Sequence, residues 1–218
     1  MKKSVVAIDG PAGAGKSTVA QKAAQALGYT YIDTGAMYRA VAWQTLQHTQ
    51  PVTDELILSV LPDIEIGLVY ENGKTRVFVD KHEVTEAIRM PEVTDIVSQV
   101  ASLGPVREKL VDLQRKMAEG GGVIMDGRDI ATHVLPNADV KIFLTASIEE
   151  RAKRRWLELK AKGVDMEMEK LKADIIKRDK TDSEREISPL RQDKDAVLLD
   201  TTELGIDEVV DKILKMCG

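Results

Sequence analysis

Cysteine is nearly missing from this chain of 218 residues: Cys217 stands alone, so no internal disulfide forms and the fold must rest on its core, as suits a reducing compartment. Histidine is almost as scarce. His48, His82 and His133, taken with that one thiol, show no metal-ligand spacing, and no chemistry is assigned to them. No apolar stretch approaches the roughly 20 residues that cross a bilayer. Met1-Lys2-Lys3 runs into apolar residues, but Asp9 and Gly10 cut that run short of a secretory core; a cytoplasmic chain without membrane contact is expected. Positive charge is not in excess either. A net charge of −5 gives no global reason to expect nucleic-acid binding. Repeats, low-complexity tracts and Pro/Ser-rich linkers are absent as well.

What is present is a globular composition. Hydrophobic residues at 43% and charged residues at 31% are too balanced for disorder, and a chain of this length buries a core without staples. One core with inserted subdomains is the expected organisation. Short apolar runs at 5–8, 29–32, 123–125, 140–144 and 196–199 alternate with helical patterns, which reads as α/β with a mostly parallel sheet. The first, third and fifth runs are continuously apolar, the pattern of strands covered on both faces.

The intervening helices have recognisable ends. Ala20, Ala23, Ala24 and Leu27 keep helical spacing, and Gly28 supplies a stop. Pro105 opens a helix whose inner face carries Val106, Leu110, Leu113 and Met117, and Gly120-Gly121-Gly122 ends it. Ser147 and Glu150 have capping-box spacing. One segment breaks the alternation: runs at 64–70 and 75–80 flank Glu71-Asn72-Gly73-Lys74, a hairpin signal. This antiparallel insert is expected outside the main sheet, either as a structural flap or as part of a grip on an acceptor.

Gly10-Pro11-Ala12-Gly13-Ala14-Gly15-Lys16-Ser17, followed by Thr18, fits G-x-x-x-x-G-K-[ST] between a buried strand and an amphipathic helix. A triphosphate must be met by several backbone N–H groups, so the chain has to approach it without Cβ atoms in the way. The helix N-terminus adds partial positive charge, Lys16 reaches the β- and γ-phosphates, and Ser17 offers a hydroxyl to Mg²⁺. A dinucleotide fingerprint fails, because Thr18 stands where the third glycine belongs. ATP with Mg²⁺ is the expected donor.

Such a loop alone does not separate kinases from switches or ATP-driven machines. The discriminating residues are Asp33-Thr34-Gly35-Ala36-Met37-Tyr38-Arg39 after the second strand and Asp126-Gly127-Arg128-Asp129 after the third. Ligands of open parallel sheets gather at carboxyl strand ends, so Arg39 and Arg128 are expected to converge on an anionic acceptor. An acceptor phosphate is already ionised and needs no base. An alcohol acceptor would need one, and Asp33 or Asp129 would serve; that alternative stays open. No N-K-x-D string favours a GTP switch. Farther on, 151–162 holds Arg151, Lys153, Arg154, Arg155, Lys160 and Lys162 against Glu158. This is either a solvated helix face or a mobile lid whose Arg151, Arg154 and Arg155 close over ATP and exclude water. Arg178, Asp182 and Arg185 share one helical face if the helix persists that far.

In their joint order these blocks resemble bacterial cytidylate kinase. Ile8-Asp9-Gly10-Pro11, Ser98-Gln99-Val100-Ala101, Val106-Arg107-Glu108, Val140-Lys141-Ile142-Phe143-Leu144, Lys177-Arg178-Asp179 and Ser188-Pro189-Leu190 extend the resemblance over nearly the whole length. It implies a P-loop NTPase fold with a five-stranded parallel sheet: core segments 1–33, 105–147 and 196–218, a monophosphate-binding region 34–104 with its hairpin insert, and a lid at 151–185. It implies CMP and dCMP as acceptors, ATP with Mg²⁺ as donor, and a protein that works as a monomer on small molecules. By matching position, Ser98, Arg107 and Asp129 are similar to cytosine readers. Thr34, Arg178 and Asp182 are similar to sugar contacts. Arg39, Arg128 and Arg185 are similar to phosphate ligands, with Tyr38 in the acceptor site and Asp33 near the transfer point. Thr34 replaces a frequent serine, keeping the hydroxyl and adding a methyl.

Overall fold

The computed structural model describes residues 3–161 and 163–218. The P-loop strand β1 (Val5–Asp9) leads into α1 (Lys16–Leu27), then β2 (Thr30–Asp33) and α2 (Thr34–Leu46). A short α3 (Asp54–Val60) enters the antiparallel β3 (Ile66–Glu71), β4 (Lys74–Val79) and β5 (His82–Glu83). A 3₁₀ turn (Ala87–Arg89), α4 (Pro91–Ser102) and α5 (Gly104–Ala118) return the chain to β6 (Val123–Gly127). A π-helical turn (Ile130–Val134), β7 (Val140–Thr145), α6 (Ile148–Ala161), α7 (Met168–Glu184), β8 (Val197–Asp200) and α8 (Ile206–Cys217) complete it. Among the described residues no helix is long and apolar enough to cross a membrane.

The main sheet has the order β2-β6-β1-β7-β8, with every pair parallel. Register puts Asp33 beside Asp126 and Asp9 beside Gly127, so three carboxylates stand at adjoining strand ends. Val6, Ala7 and Ile8 of β1 are fully buried, as a central strand between two helical layers must be. The fifth apolar run behaves differently. At the sheet edge, Val197 and Leu198 are 48% and 55% exposed while Ala196 and Leu199 are buried, so continuous apolarity did not mean cover on both faces here.

Helix ends follow local chemistry. Gly28 (φ 64°) stops α1, and Tyr29 N–H closes the turn onto Ala24 O at 2.8 Å. In α5, Val106 and Leu110 are fully buried while Leu113 and Met117 are partly so; Val111, Gln114 and Ala118 are buried too, because this helix is wedged between the insert and the sheet. Only half of the capping box at α6 forms. Ser147 Oγ accepts from Glu150 N–H at 3.2 Å, but Glu150 turns its carboxylate to Arg154 and Ser147 N–H donates to Thr202 Oγ1.

The hairpin is confirmed, with β3 and β4 in register up to Glu71 opposite Lys74 and the two turn residues at positive φ, Asn72 at 52° and Gly73 at 73°. A two-residue third strand, β5, carries no readable pattern of its own. The insert docks on the core through Tyr70, whose ring meets Tyr31 edge-on at 6.0 Å and whose hydroxyl donates to Gln21 O.

Candidate active site

The loop between β1 and α1 has a shape that side chains would block. A Cβ on Gly10 (φ 150°) would lie 1.9 Å from Leu144 O, and Gly13 and Gly15 hold φ of 73° and 87°. Lys16 opens α1 and is buried, donating from Nζ to Pro11 O at 2.9 Å. Burial, helped by the neighbouring Arg128 charge, pulls its ammonium down to about 7. Ser17 Oγ donates to Asp126 Oδ2 at 3.2 Å, and Thr18 is exposed beside it.

Asp126 is named in the block that follows the third strand, but sequence alone assigns it no role of its own. Tyr31 OH donates to its other oxygen at 2.6 Å, and burial together with the Asp33 charge raises its carboxyl to about 6. Its signal was legible: a carboxylate closing the apolar run Val123-Ile124-Met125, on the strand beside the P-loop strand. Asp9 was likewise named without a role. It is buried and accepts from Ile130 and Ala131 N–H, both at 2.8 Å, which fixes the backbone just beyond Asp129.

At the carboxyl ends of β2 and β6 a narrow cleft of about 50 Å³ gathers Thr34, Tyr38, Ser98, Arg107, Arg128, Asp129, Arg178, Asp182 and Arg185. These residues come from five separate stretches of chain. Arg128 Nε donates to Asp182 Oδ2 at 2.8 Å. Asp129 is clasped from two sides, by Arg107 Nη2 and by Arg185 Nη2 at 3.3 Å. Thr34 Oγ1 donates to Asp126 O at 2.7 Å, and the Arg107 guanidinium lies 5.8 Å from the Tyr38 ring centre. Burial and the Arg128 charge lower Arg178 to about 10, and its buried Nε has no partner. For Asp182, burial opposes the charge, yet Arg128 and Arg178 hold its carboxyl below the usual range. The helical face expected to carry residues 178, 182 and 185 ends early: α7 stops at Glu184, and Arg185 reaches the cleft from extended backbone (φ −60°, ψ 143°).

Arg39 stands apart from that cleft. It lines an adjoining cavity of about 400 Å³ with Arg89, Arg155, Lys74 and Gln21. Its Nη1 donates to Ile88 O at 3.1 Å and to Thr94 Oγ1 at 2.8 Å, and burial plus the charges of Arg178 and Arg89 lowers it to about 9. Asp33 caps α2, accepting from Ala36 N–H at 2.8 Å, and its second oxygen takes a 2.6 Å ion pair from Arg89. Although burial works against it, these contacts keep the Asp33 carboxyl below the ordinary range. Arg89 was not anticipated; it follows the hairpin and carries no motif.

The basic helix divides. Arg151 is buried and donates to Ala146 O, to Ala12 O and to Asp179 (2.6 Å), whose carboxylate also accepts from Ala12 N–H at 3.3 Å. Arg154 donates to Ala14 O and to Thr201. In this conformation both arginines brace P-loop carbonyls from behind and do not project as free cations, while Arg155 faces the larger cavity. Lys153 and Lys160 are exposed, and Lys162 lies outside the described residues.

This geometry has close relatives. A curated cytidylate kinase of Caldicellulosiruptor bescii is 52% identical over 217 residues, spanning 99% of this chain and 96% of its own. One from Bacillus subtilis is 54% identical over 215 residues, with 98% and 96% covered. Among solved structures, a gluconokinase from Sinorhizobium meliloti superposes with a TM-score of 0.51 at 17% identity, over 99% of this chain and 91% of that one, a likeness of fold alone. The family model described as cytidylate kinase matches residues 6–218, and with these identities it establishes that the chain belongs to the cytidylate kinase family.

Proposed function

We propose that the protein transfers the γ-phosphoryl group of ATP to CMP and dCMP, giving ADP with CDP or dCDP. One observation carries the acceptor: in the narrow cleft four guanidiniums (Arg107, Arg128, Arg178, Arg185) face two carboxylates (Asp129, Asp182). The excess of two positive charges suits a phosphate monoester, which carries about −1.5 to −2 at neutral pH. An ionised phosphate oxygen attacks without losing a proton. The bond that forms joins it to the γ-phosphorus, and the bond that breaks frees the β-phosphate oxygen of ADP. The protein therefore supplies alignment and countercharge.

Backbone N–H groups of the loop 10–17, Pro11 having none, hold the donor's tail, and Lys16 exchanges Pro11 O for its β- and γ-oxygens. Arg128, Arg39 and Arg185 draw the two phosphates together and neutralise charge as it shifts. Thr34, Arg178 and Asp182 serve the sugar. Ser98, Arg107 and Asp129 serve the base, where the Asp129 carboxylate accepts from the exocyclic amine of cytosine; uracil offers an acceptor there and leaves the carboxylate unpaired. Residues 34–104 act as the monophosphate-binding region, and 151–185 as a lid through which Arg155 reaches the donor.

The residues also fit Mg²⁺. Among those described, no three His, Cys, Asp or Glu side chains form a metal cluster. A hydroxyl and one carboxylate, Ser17 and Asp126, suffice for a cation that keeps most of its shell from water and phosphate oxygens. When bound, the ion supplies countercharge to the β- and γ-oxygens.

The test is a panel of nucleoside monophosphates with ATP and Mg²⁺, read as diphosphate formed. CMP and dCMP are expected to exceed UMP and AMP in kcat/KM by about 100-fold or more. Equal values for UMP or AMP would defeat the cytosine assignment.

A further inference from the structure

We infer that Arg89, at the end of the 3₁₀ turn that follows the hairpin insert, is a positioning residue for phosphoryl transfer, acting through Asp33 and with Ile88 through Arg39. This rests on the kinase reading above. The insert had two open roles, flap or grip, and two contacts from one turn of chain favour the second.

The first contact is the ion pair. Arg89 Nη2 lies 2.6 Å from Asp33 Oδ2, while Asp33 Oδ1 holds Ala36 N–H at 2.8 Å. One carboxylate thus ties the insert to the first turn of α2, the helix that presents Thr34, Tyr38 and Arg39. Asp33 is buried and stands in register with Asp126 on the neighbouring strand. Without a cation at Oδ2, two adjoining carboxylates face one another where Ser17 and Lys16 meet the donor, and Asp33 is pushed off the α2 cap. Arg89 keeps 39% of its side chain exposed, toward the cavity of about 400 Å³ that it lines with Arg39 and Arg155. The second contact runs through the residue before it. Ile88 O, with Thr94 Oγ1, takes both recorded bonds of Arg39 Nη1, so the position of this turn sets where the Arg39 fork lies. Ile88 is fully buried in the cluster shared by α2 and α4, which leaves the turn little freedom once Arg89 is latched.

A displacement of about 1 Å at such groups lowers transfer by up to about 100-fold. Arg89→Met is accordingly expected to lower kcat by about 10- to 100-fold with the KM for ATP within twofold, because the P-loop amides do not depend on it. Arg89→Lys, which retains charge but not the fork, is expected to recover part of the loss. In a cycle with Asp33→Asn, the double variant is expected to be no slower than Asp33→Asn alone. Arg76→Met, which breaks an exposed pair with Glu83 on the same insert, should turn over as wild type. Melting midpoints are read beside each rate. If Arg89→Met does not fold, Arg89→Lys and Arg89→Gln carry the same comparison.

The inference is overturned if Arg89→Met stays within threefold of wild-type kcat, if Arg89→Lys recovers nothing, or if the two losses multiply fully in the double variant. Wild-type turnover of CMP is a separate arm. Its absence would strike the acceptor assignment, while the fold-changes would still be read on whichever monophosphate the wild type turns over fastest.

Discussion

Lys16 donates to Pro11 O in the ligand-free site, and an arriving triphosphate must replace that neutral acceptor with anionic oxygens. Its ammonium sits at about 7 because burial and the Arg128 charge disfavour the proton. Anionic phosphate favours it, so donor binding raises this pKa. The sign follows directly. At pH 8 the free site holds Lys16 mostly neutral and binding takes up a proton; at pH 6 the lysine is already charged and contributes no uptake. Calorimetry of an ATP analogue at pH 8 in two buffers of different ionisation enthalpy is expected to show uptake approaching one proton, lost in Lys16→Met, with affinity falling as pH rises above 7. No uptake at pH 8 in the wild type would refute the placement of Lys16 on the phosphates.

At the scale of elements, the P-loop is held from outside as well as from within. Glycines give it its curve, but Arg151 and Arg154 of α6 supply donors to Ala12 O and Ala14 O, and Asp179 of α7 accepts from Ala12 N–H. Arg151→Met removes three donated bonds and leaves the Asp179 carboxylate facing the loop without its cation. Breaking a partly buried pair in this way costs about 2 kcal/mol. Urea unfolding should show that loss together with a raised KM for ATP, whereas Lys153→Met, at an exposed position on the same helix, should stay within about 0.5 kcal/mol of wild type. This bracing was not legible in a run of basic residues, since a sequence gives the charge of an arginine and not the carbonyl it meets. The hairpin turn was legible because Asn72 and Gly73 are residue types that accept positive φ. Half of the α6 capping box was not, because Thr202, 55 positions away, competes for the Ser147 N–H.

Across the whole molecule, what could be read ahead was what local chemistry dictates: apolar strands, glycine stops, and arginines placed at strand ends. What could not be read was which acid each arginine meets. The partners of Asp126 and Asp9 became visible only once β2, β6 and β1 aligned their ends, and Arg89 only once the insert had docked. The same long-range pairings divide the molecule mechanically. The α6–α7 pair has a small cluster of its own, in which Ala152, Leu159, Leu171 and Ile175 are buried, and it is tied to the body by Arg128–Asp182 and Arg185–Asp129 and by the bonds of Arg151 and Arg154 to P-loop carbonyls. Arg178 and Asp182 of α7 line the narrow cleft, so an acceptor entering it is expected to shift that helix before its own charge draws the helix back. Segments with few buried apolar contacts open at lower free energy than the core. In native-state hydrogen exchange, amides of 165–185 should therefore exchange well ahead of those in β1, β6 and β7. Addition of CMP should slow them, because the phosphate then engages Arg128 and Arg185 while the sugar engages Arg178 and Asp182. Protection in α7 equal to that of the central strands in the ligand-free protein would mean that the helix is not the moving part.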